Sequence, residues 1–366
     1  MKFLIVDTYY PAFLHSLYAK YPLAKYPYAV QWRILMDQCF GTADYYSLNL
    51  QKLGYEATEI VANCRPLQMQ WAQEHGLKIA TTLQRRSYRG FPLPWVDKDW
   101  FYPVLLEQIK EYRPDVIHFQ APAQTDPHFL RAIRPYARLI TAQIASPYPD
   151  GYNFREYDVM LSSFPHFVQK FQTQGIRSRH FNLGFEQSLL QRIKKSHAYD
   201  VVFVGGISPS HKDRIHFLEE IARHIPVHWW GYGIEQLKPS SPLRKTYHGQ
   251  AWGLDMYDAL HSAKFVLNRH INVARNYANN MRLYESTGVS SLLVTDHKDN
   301  LYTLFVPDKE IVAYHSPQEC IDEIRYYLAH EDERKAIALA GQQRTLREHT
   351  YYHRMQEFVE IVKPLL

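Results

Sequence analysis

Cysteine is scarce: Cys39, Cys64 and Cys320 are odd in number and far apart in the chain. That excludes a disulfide framework and a Cys-x-x-Cys metal site, and it suits a reducing cytoplasm. Charge of one sign is equally thin. A formal net charge of +5 over 366 residues is mild for a nucleic-acid binder. The local groups Arg85, Arg86, Arg89 and Arg177, Arg179 show no regular reading pattern. No nucleic-acid partner is therefore expected, although such a patch can draw a phosphorylated substrate or an anionic membrane surface. Long hydrophobic runs are missing too. The opening run Phe3-Leu-Ile-Val6 stops at Asp7 after four residues, too short for a secretory segment or a membrane span. The expectation is a cytoplasmic protein, with peripheral contact at the inner face of the membrane left open.

Several catalytic signatures are also absent. There is no Walker P-loop and no complete G-x-G-x-x-G fingerprint. Ser208 and Ser210 lie near His211 without a G-x-S-x-G elbow. His349 and His353 share a helical turn without an H-E-x-x-H arrangement. Asp126-Pro-His128 and His211-Lys-Asp213 are poor ligand sets. Metal independence is the preferred reading, with no cofactor.

What is present is core material. A hydrophobic share of 46% with 22% charged residues is globular in type, and the length suits two domains. Apolar runs alternate with amphipathic segments. Strands are expected at Phe3–Val6, Glu56–Ala62, Asp115–Phe119, Leu139–Ala142 and Val159–Leu161, with helices at Ser47–Leu53 and Trp100–Tyr112. Such alternation favours an open parallel α/β sheet, whose ligands sit beyond the carboxyl ends of the strands. The loops after Val6, Phe119 and Ala142 fall on that edge. The Pro/Tyr-rich segment after Val6 is read as a loop which, with Ser146–Gly151, can shape a substrate pocket. Asp7, His118 and Asp126 are the candidate bases there. Each also has a bland reading, turn capping for the two aspartates and a core position for the histidine.

A second array begins at Asp200-Val-Val-Phe-Val204 and continues with strands ending at Trp230, Leu267, Thr295 and Tyr314. Helices are expected at His211–His224, Leu254–His261, Asn279–Thr287, from Ser316, at Glu331–Ala340 and at Thr350–Val362. Ser316-Pro-Gln-Glu319 is a capping signature with proline at the first helical position. Gly206 and Ser208 follow the first strand and lead to Lys212 and Arg214, where glycine, cations and free helix N–H groups suit a diphosphate. Gly231, in Gly231-Tyr-Gly233, can let a ligand approach the backbone. The densest constellation is Arg275-Asn276 followed by Asn280-Met-Arg282-Leu-Tyr-Glu285. Asn280 and backbone donors suit phosphates, Arg282 neutralises their oxygens, and Glu285 one turn deeper suits ribose hydroxyls. Gly288 is read as the end of that helix.

From Asp200 to Arg354, about two-fifths of the chain, the sequence resembles the C-terminal domain of the CgeB-like (spore maturation protein-like) glycosyltransferases of the GT-B superfamily. The resemblance rests on Val204-Gly-Gly206, Gly231-Tyr-Gly233, Asn280-Met-Arg-Leu-Tyr-Glu285 with Gly288, Leu292-Leu-Val-Thr-Asp296, and His349-Thr-Tyr351 with Arg354. It implies an α/β GT-B fold of two Rossmann-like domains facing each other across a cleft, with a nucleotide-diphosphate sugar as donor. It places Glu285 at the ribose and Lys212 and Arg214 near the donor phosphates, and it adds interest to His118. The implied division is an acceptor-binding domain at 1–188, a donor-binding domain at 189–345, and a C-terminal helix at 346–366 packing back on the first domain. Tyr277 stands eight positions before Glu285, where the retaining pattern has a second glutamate, so stereochemistry stays open. So do the acceptor (polysaccharide, lipid-linked, protein or small molecule), the oligomeric state, and two alternatives: a nucleotide-sugar epimerase and a non-catalytic nucleotide-sugar-binding protein.

Overall fold

The computed structural model describes residues 1–79, 87–88, 91–92, 100–149, 151–194, 198–208 and 212–366, with backbone alone at 87–88, 91–92 and 212. Arg85, Arg86, Arg89, Ser210, His211 and the side chain of Lys212 lie outside the described residues. The chain forms two compact units, Met1–His180 with Phe358–Leu366, and Phe181–Glu357.

The first unit carries a six-stranded sheet. Its strands are β1 (Lys2–Asp7), β2 (Glu56–Val61), β5 (Val116–Phe119), β6 (Leu139–Gln143), β7 (Val159–Ser162) and β8 (Ser178–His180); β3 (Ser87–Tyr88) and β4 (Phe91–Pro92) form a separate antiparallel pair. The order is β2-β1-β5-β6-β7-β8, every neighbour parallel. β5, β6 and β7 are buried along their whole length, which is why they read as continuous apolar runs. Chain direction across the sheet reverses between β1 and β5, so a switch point opens beyond Asp7 and Phe119. Phe358, from the last helix, packs on this sheet, its ring 5.9 Å from Phe3 and 4.9 Å from His118.

One expectation is corrected in this unit. The segment after Val6 is not a loop: it holds helices Pro11–Lys20 and Tyr28–Asp37. Proline supplies the first helical position of one and the N-cap of the other, where a missing N–H costs nothing. Phe13 and Leu17 bury one face, and Phe13 stacks on Phe40 at 4.1 Å.

The second unit has its own sheet of β9 (Tyr199–Val204), β10 (Val227–Trp230), β11 (Ala263–Asn268), β12 (Leu292–Asp296) and β13 (Val312–Tyr314). The order is β10-β9-β11-β12-β13, again all parallel, with its switch point between β9 and β11. Val201, Phe203, Trp229, Phe265, Leu292 and Val312 form the core on one face with helices Lys212–Ala222 and Pro317–Ala329. Ser316 Oγ caps the latter by accepting from Glu319 N at 3.2 Å, as its sequence predicts.

Two glycines serve packing where the sequence suggests helix ends. The helix Met281–Gly288 includes Gly288, and the left-handed residue beyond it is Ser290 (φ 64°). A Cβ at Gly288 would lie 2.5 Å from the Phe185 ring, so close approach explains this glycine. The helix expected at Glu331–Ala340 runs on to Glu348, through Gly341. A Cβ at Gly341 would overlap the Glu310 carbonyl oxygen. Among the described residues no helix is long and apolar enough to cross a membrane.

Candidate functional site

The switch point of the second sheet gathers most of the residues that the sequence singles out. Beyond Val204 the chain keeps pairing with the segment after β10: Gly205 N donates to Trp230 O at 2.9 Å and Ile207 N to Tyr232 O at 2.8 Å. This close run explains the glycines. A Cβ at Gly231 or Gly233 would overlap the carbonyl oxygens of Gly205 and Ile207, and one at Gly206 would enter the Tyr232 ring. Gly206 and Gly231 therefore let two loops of the protein meet each other. Ser208 follows, half-buried.

Two guanidinium groups are fixed across this edge by carbonyl oxygens. Arg214, on the helix Lys212–Ala222, donates Nη1 to Gly206 O at 3.1 Å and Nη2 to Arg269 O at 3.2 Å. It thereby spans the gap between the β9 and β11 loops. Burial pulls its pKa below the usual guanidinium value. Arg282, on the first turn of the helix Met281–Gly288, donates Nη2 to Val204 O at 3.2 Å. Its Nη1 lies 2.8 Å from Glu285 Oε2, an ion pair off the N–H direction. Tyr257 OH donates to the other Glu285 oxygen at 3.4 Å. Glu285 is 3% exposed, so both of its oxygens are engaged inside the fold.

Asn280 is the N-cap of this helix but makes no capping bond. Its Nδ2 donates instead to Asn268 Oδ1 at 2.6 Å, which leaves the helix N-terminus to other acceptors. Helix N–H groups and the macrodipole favour an anion at such an end. Arg275 and Asn276 occupy the exposed turn before it. Arg275 has φ 52°, an uncommon backbone for a side chain with a Cβ. Lys298 Nζ donates to Arg275 O at 2.9 Å, and Asp299 N to Asn276 O at 3.1 Å, pinning that turn.

The residues of the first unit are placed differently from one another. Asp7 ends β1 at the switch point and accepts from Thr8 N at 2.7 Å. Desolvation raises its pKa to about 7, against hydrogen bonds from Thr8 and Thr42. Asp126 is exposed and caps the helix Pro127–Ile133 by accepting from His128 N. His118 lies inside β5, wholly buried, with Nδ1 2.9 Å from Thr141 Oγ1. Thr141 Oγ1 donates to Ile117 O, so His118 is the donor in that bond. Burial lowers its pKa to about 3; it is a neutral ring between Tyr46 and Phe358.

Sequence reasoning gave no site role to His270, Asp296 and Lys298, which meet at the carboxyl ends of β11 and β12. The available signal was Asp296, a charged residue ending an apolar strand. By contrast, the His349-Thr-Tyr351 motif is used in packing. Phe185 N donates to His349 O and Tyr351 N to Phe185 O, both at 2.9 Å, and His349 Nε2 meets Leu304 O.

Residues 214–360 match the family described as glycosyl transferase-like. No curated protein matches the sequence significantly. Among solved structures the chain is similar to a glycosyltransferase from Rickettsia africae, with 11% identity and TM-score 0.57 over 100% of this chain and 98% of that one. It is similar to Anabaena Alr3699/HepE in complex with UDP-glucose, at 10% identity and TM-score 0.56 over 100% of both chains. Sucrose-phosphate synthase from Thermosynechococcus elongatus gives 10% identity and TM-score 0.57, covering 100% of this chain and 99% of that one. At these identities the likeness is one of fold, the GT-B fold built from Rossmann-like domains with parallel sheets.

Proposed function

We propose that this chain is a glycosyltransferase that moves a sugar from a nucleotide-diphosphate donor to a hydroxyl acceptor. The observation that carries the reading is the pair of carbonyl-held cations at the β9/β11 switch point. Arg214 and Arg282 are fixed by Gly206, Arg269 and Val204 beside a helix N-terminus whose N-cap side chain is turned elsewhere. The glycosyl transferase-like match over 214–360 and the UDP-glucose bound by Anabaena Alr3699/HepE support the same substrate class.

In the reaction the bond between the anomeric carbon and the diphosphate oxygen breaks, and its electron pair goes to the leaving nucleoside diphosphate. Preorganised cations and amides stabilise that charge with no reorganisation at the moment of reaction. Arg214, Arg282 and the donors at Asn280 and Met281 fill this role, with Lys212 at the head of its helix and Arg275 and Asn276 in the adjoining turn. Ser208, Gly206 and Gly231 line the donor side through backbone. Glu285 keeps Arg282 in place and meets the ribose when the donor is bound. The acceptor oxygen forms the new bond to the anomeric carbon, and its proton passes to a base. Asp7 is the first unit's candidate, because desolvation poises its carboxyl near neutral pH. Electrostatic stabilisation by side chains makes the reaction metal-independent. The three cysteines are buried and none is disulfide-bonded, in keeping with action in a reducing compartment.

The test is calorimetric titration of the full chain with UDP, GDP, ADP and dTDP, followed by transfer assays with the matching nucleotide sugars. Micromolar binding of one nucleoside diphosphate is expected, and absence of binding to all four refutes the reading. Release of the nucleoside diphosphate that depends on added acceptor separates transfer from epimerisation.

A further inference from the structure

His270 stands two positions beyond the end of β11, at the second sheet's switch point, and the reaction scheme above leaves it without a role. Its side chain is 1% exposed. Nδ1 lies 2.7 Å from Asp296 Oδ1, and the backbone N–H of His270 donates to the same oxygen at 3.0 Å. Lys298 Nζ is 3.3 Å from Asp296 Oδ2. Burial works against the Asp296 carboxylate. The hydrogen bonds and charge of His270, with Lys298, outweigh it and hold the group well below the usual range.

An ionised carboxylate accepts only, so Nδ1 carries the proton in this bond and the ring plane is fixed. Nε2 is then the ring's uncommitted atom. It is buried and has no hydrogen-bond partner, an unfavourable state for a polar nitrogen unless a ligand completes it.

A second atom in the same network is in that state. Asn280 Oδ1, at the N-cap of the helix Met281–Gly288, is also buried without a partner. Asn280 Nδ2 donates to Asn268 Oδ1 at 2.6 Å, Asn268 Nδ2 to Thr295 Oγ1 at 2.9 Å, and Thr295 Oγ1 to Asp296 Oδ1 at 3.4 Å. One hydrogen-bond chain therefore ties the helix N-terminus to the imidazole. The neighbour Arg269 lies over the Phe217 ring at 4.8 Å, and its carbonyl holds Arg214. The surroundings are cationic, with Asp296 as the balancing charge.

We propose that His270 is a donor-contacting residue whose Nε2–H donates to an oxygen of the bound diphosphate. It rests on the nucleotide-diphosphate reading above. Held between the Asp296 carboxylate and the ligand's negative oxygens, the ring adds a third fixed donor to Arg214 and Arg282. Asp296 acts through His270 and is a positioning residue.

The experiment compares wild type, His270→Asn and His270→Gln by calorimetric titration with UDP and with uridine, alongside thermal melts. Asparagine places its amide where Nδ1 lies and keeps the Asp296 bond, but offers no atom at Nε2; glutamine places an amide there. UDP affinity is expected to fall about 10- to 100-fold in His270→Asn, the size of a hydrogen bond to a charged group. It recovers in His270→Gln, while uridine affinity stays level. Wild-type UDP affinity in a folded His270→Asn overturns the proposal, and so does an equal loss for uridine, which marks a disturbed fold. If His270→Asn does not fold, imidazole nitrogen spectra of the wild type decide. UDP must shift the His270 Nε2 resonance, and an unmoved resonance overturns the assignment. A wild type that binds no nucleoside diphosphate is a different result, which removes the underlying reading.

Discussion

Removing Arg282 separates its structural role from its proposed ligand role. The Arg282–Glu285 pair spans 2.8 Å with side chains 14% and 4% exposed. Arg282→Met keeps the length of the side chain but leaves the Glu285 carboxylate buried, with only the 3.4 Å bond from Tyr257. Breaking a buried pair from one side costs about 3–5 kcal/mol. For a unit of this size about 2–4 °C of melting temperature goes with each kcal/mol, so Arg282→Met should melt roughly 6–20 °C lower. Glu285→Gln still accepts from Arg282 and should lose only about 1–2 kcal/mol. The double variant Arg282→Met/Glu285→Gln removes the stranded charge and should regain about 1–3 kcal/mol over Arg282→Met alone. Its UDP affinity should remain low, because the cation is gone. Scanning calorimetry gives the melts and titration calorimetry the affinity. Arg282→Met melting within about 2 °C of wild type refutes the buried-pair argument. Normal UDP affinity in the double variant refutes the ligand role. The burial also rules out Glu285→Ala as a clean probe of ribose binding, since it strands Arg282.

Asp7→Asn should abolish transfer while leaving UDP affinity unchanged, and wild-type transfer should rise with pH through about 7 as the carboxyl ionises; a flat profile there dismisses Asp7 as the base. Glu59 is 2% exposed, and desolvation raises its pKa to about 8. The folded state therefore holds a proton that the unfolded chain has lost between about pH 4.5 and 8, so stability falls as pH rises through that window. Glu59→Gln should remove this slope and gain up to about 4 kcal/mol at pH 8, read from denaturant midpoints at pH 5 and pH 8. Gly341→Ala should lower stability by about 1–3 kcal/mol through overlap with the Glu310 carbonyl, with no change in KM for the donor. Transfer should survive EDTA, and a loss restored by added divalent ion would overturn metal independence.

The apolar runs alone determined the two parallel α/β arrays and the placing of their strands except β8, whose Ser178-Arg-His180 has no apolar run. Parallel strands buried on both faces, as β5, β6 and β7 are, leave a continuous hydrophobic run without the alternation of a half-exposed strand. The helix heads carrying Arg214 and Arg282 were legible as well, because cations just past a buried strand fall on the ligand-binding edge whatever the packing. Tertiary structure decided the meaning of the single residues. Gly206, Gly231, Gly288 and Gly341 look alike in sequence as turns, caps and phosphate loops. Each is instead small because a neighbouring loop, ring or carbonyl occupies the space of its Cβ. His118 and Asp7 both sit on strands of the first sheet. Burial makes one a neutral core ring and the other a carboxyl poised near pH 7. His270 and Asp296 are 26 positions apart. No local pattern joins them, since only the parallel pairing of β11 with β12 brings a histidine loop against an aspartate at the next strand's end.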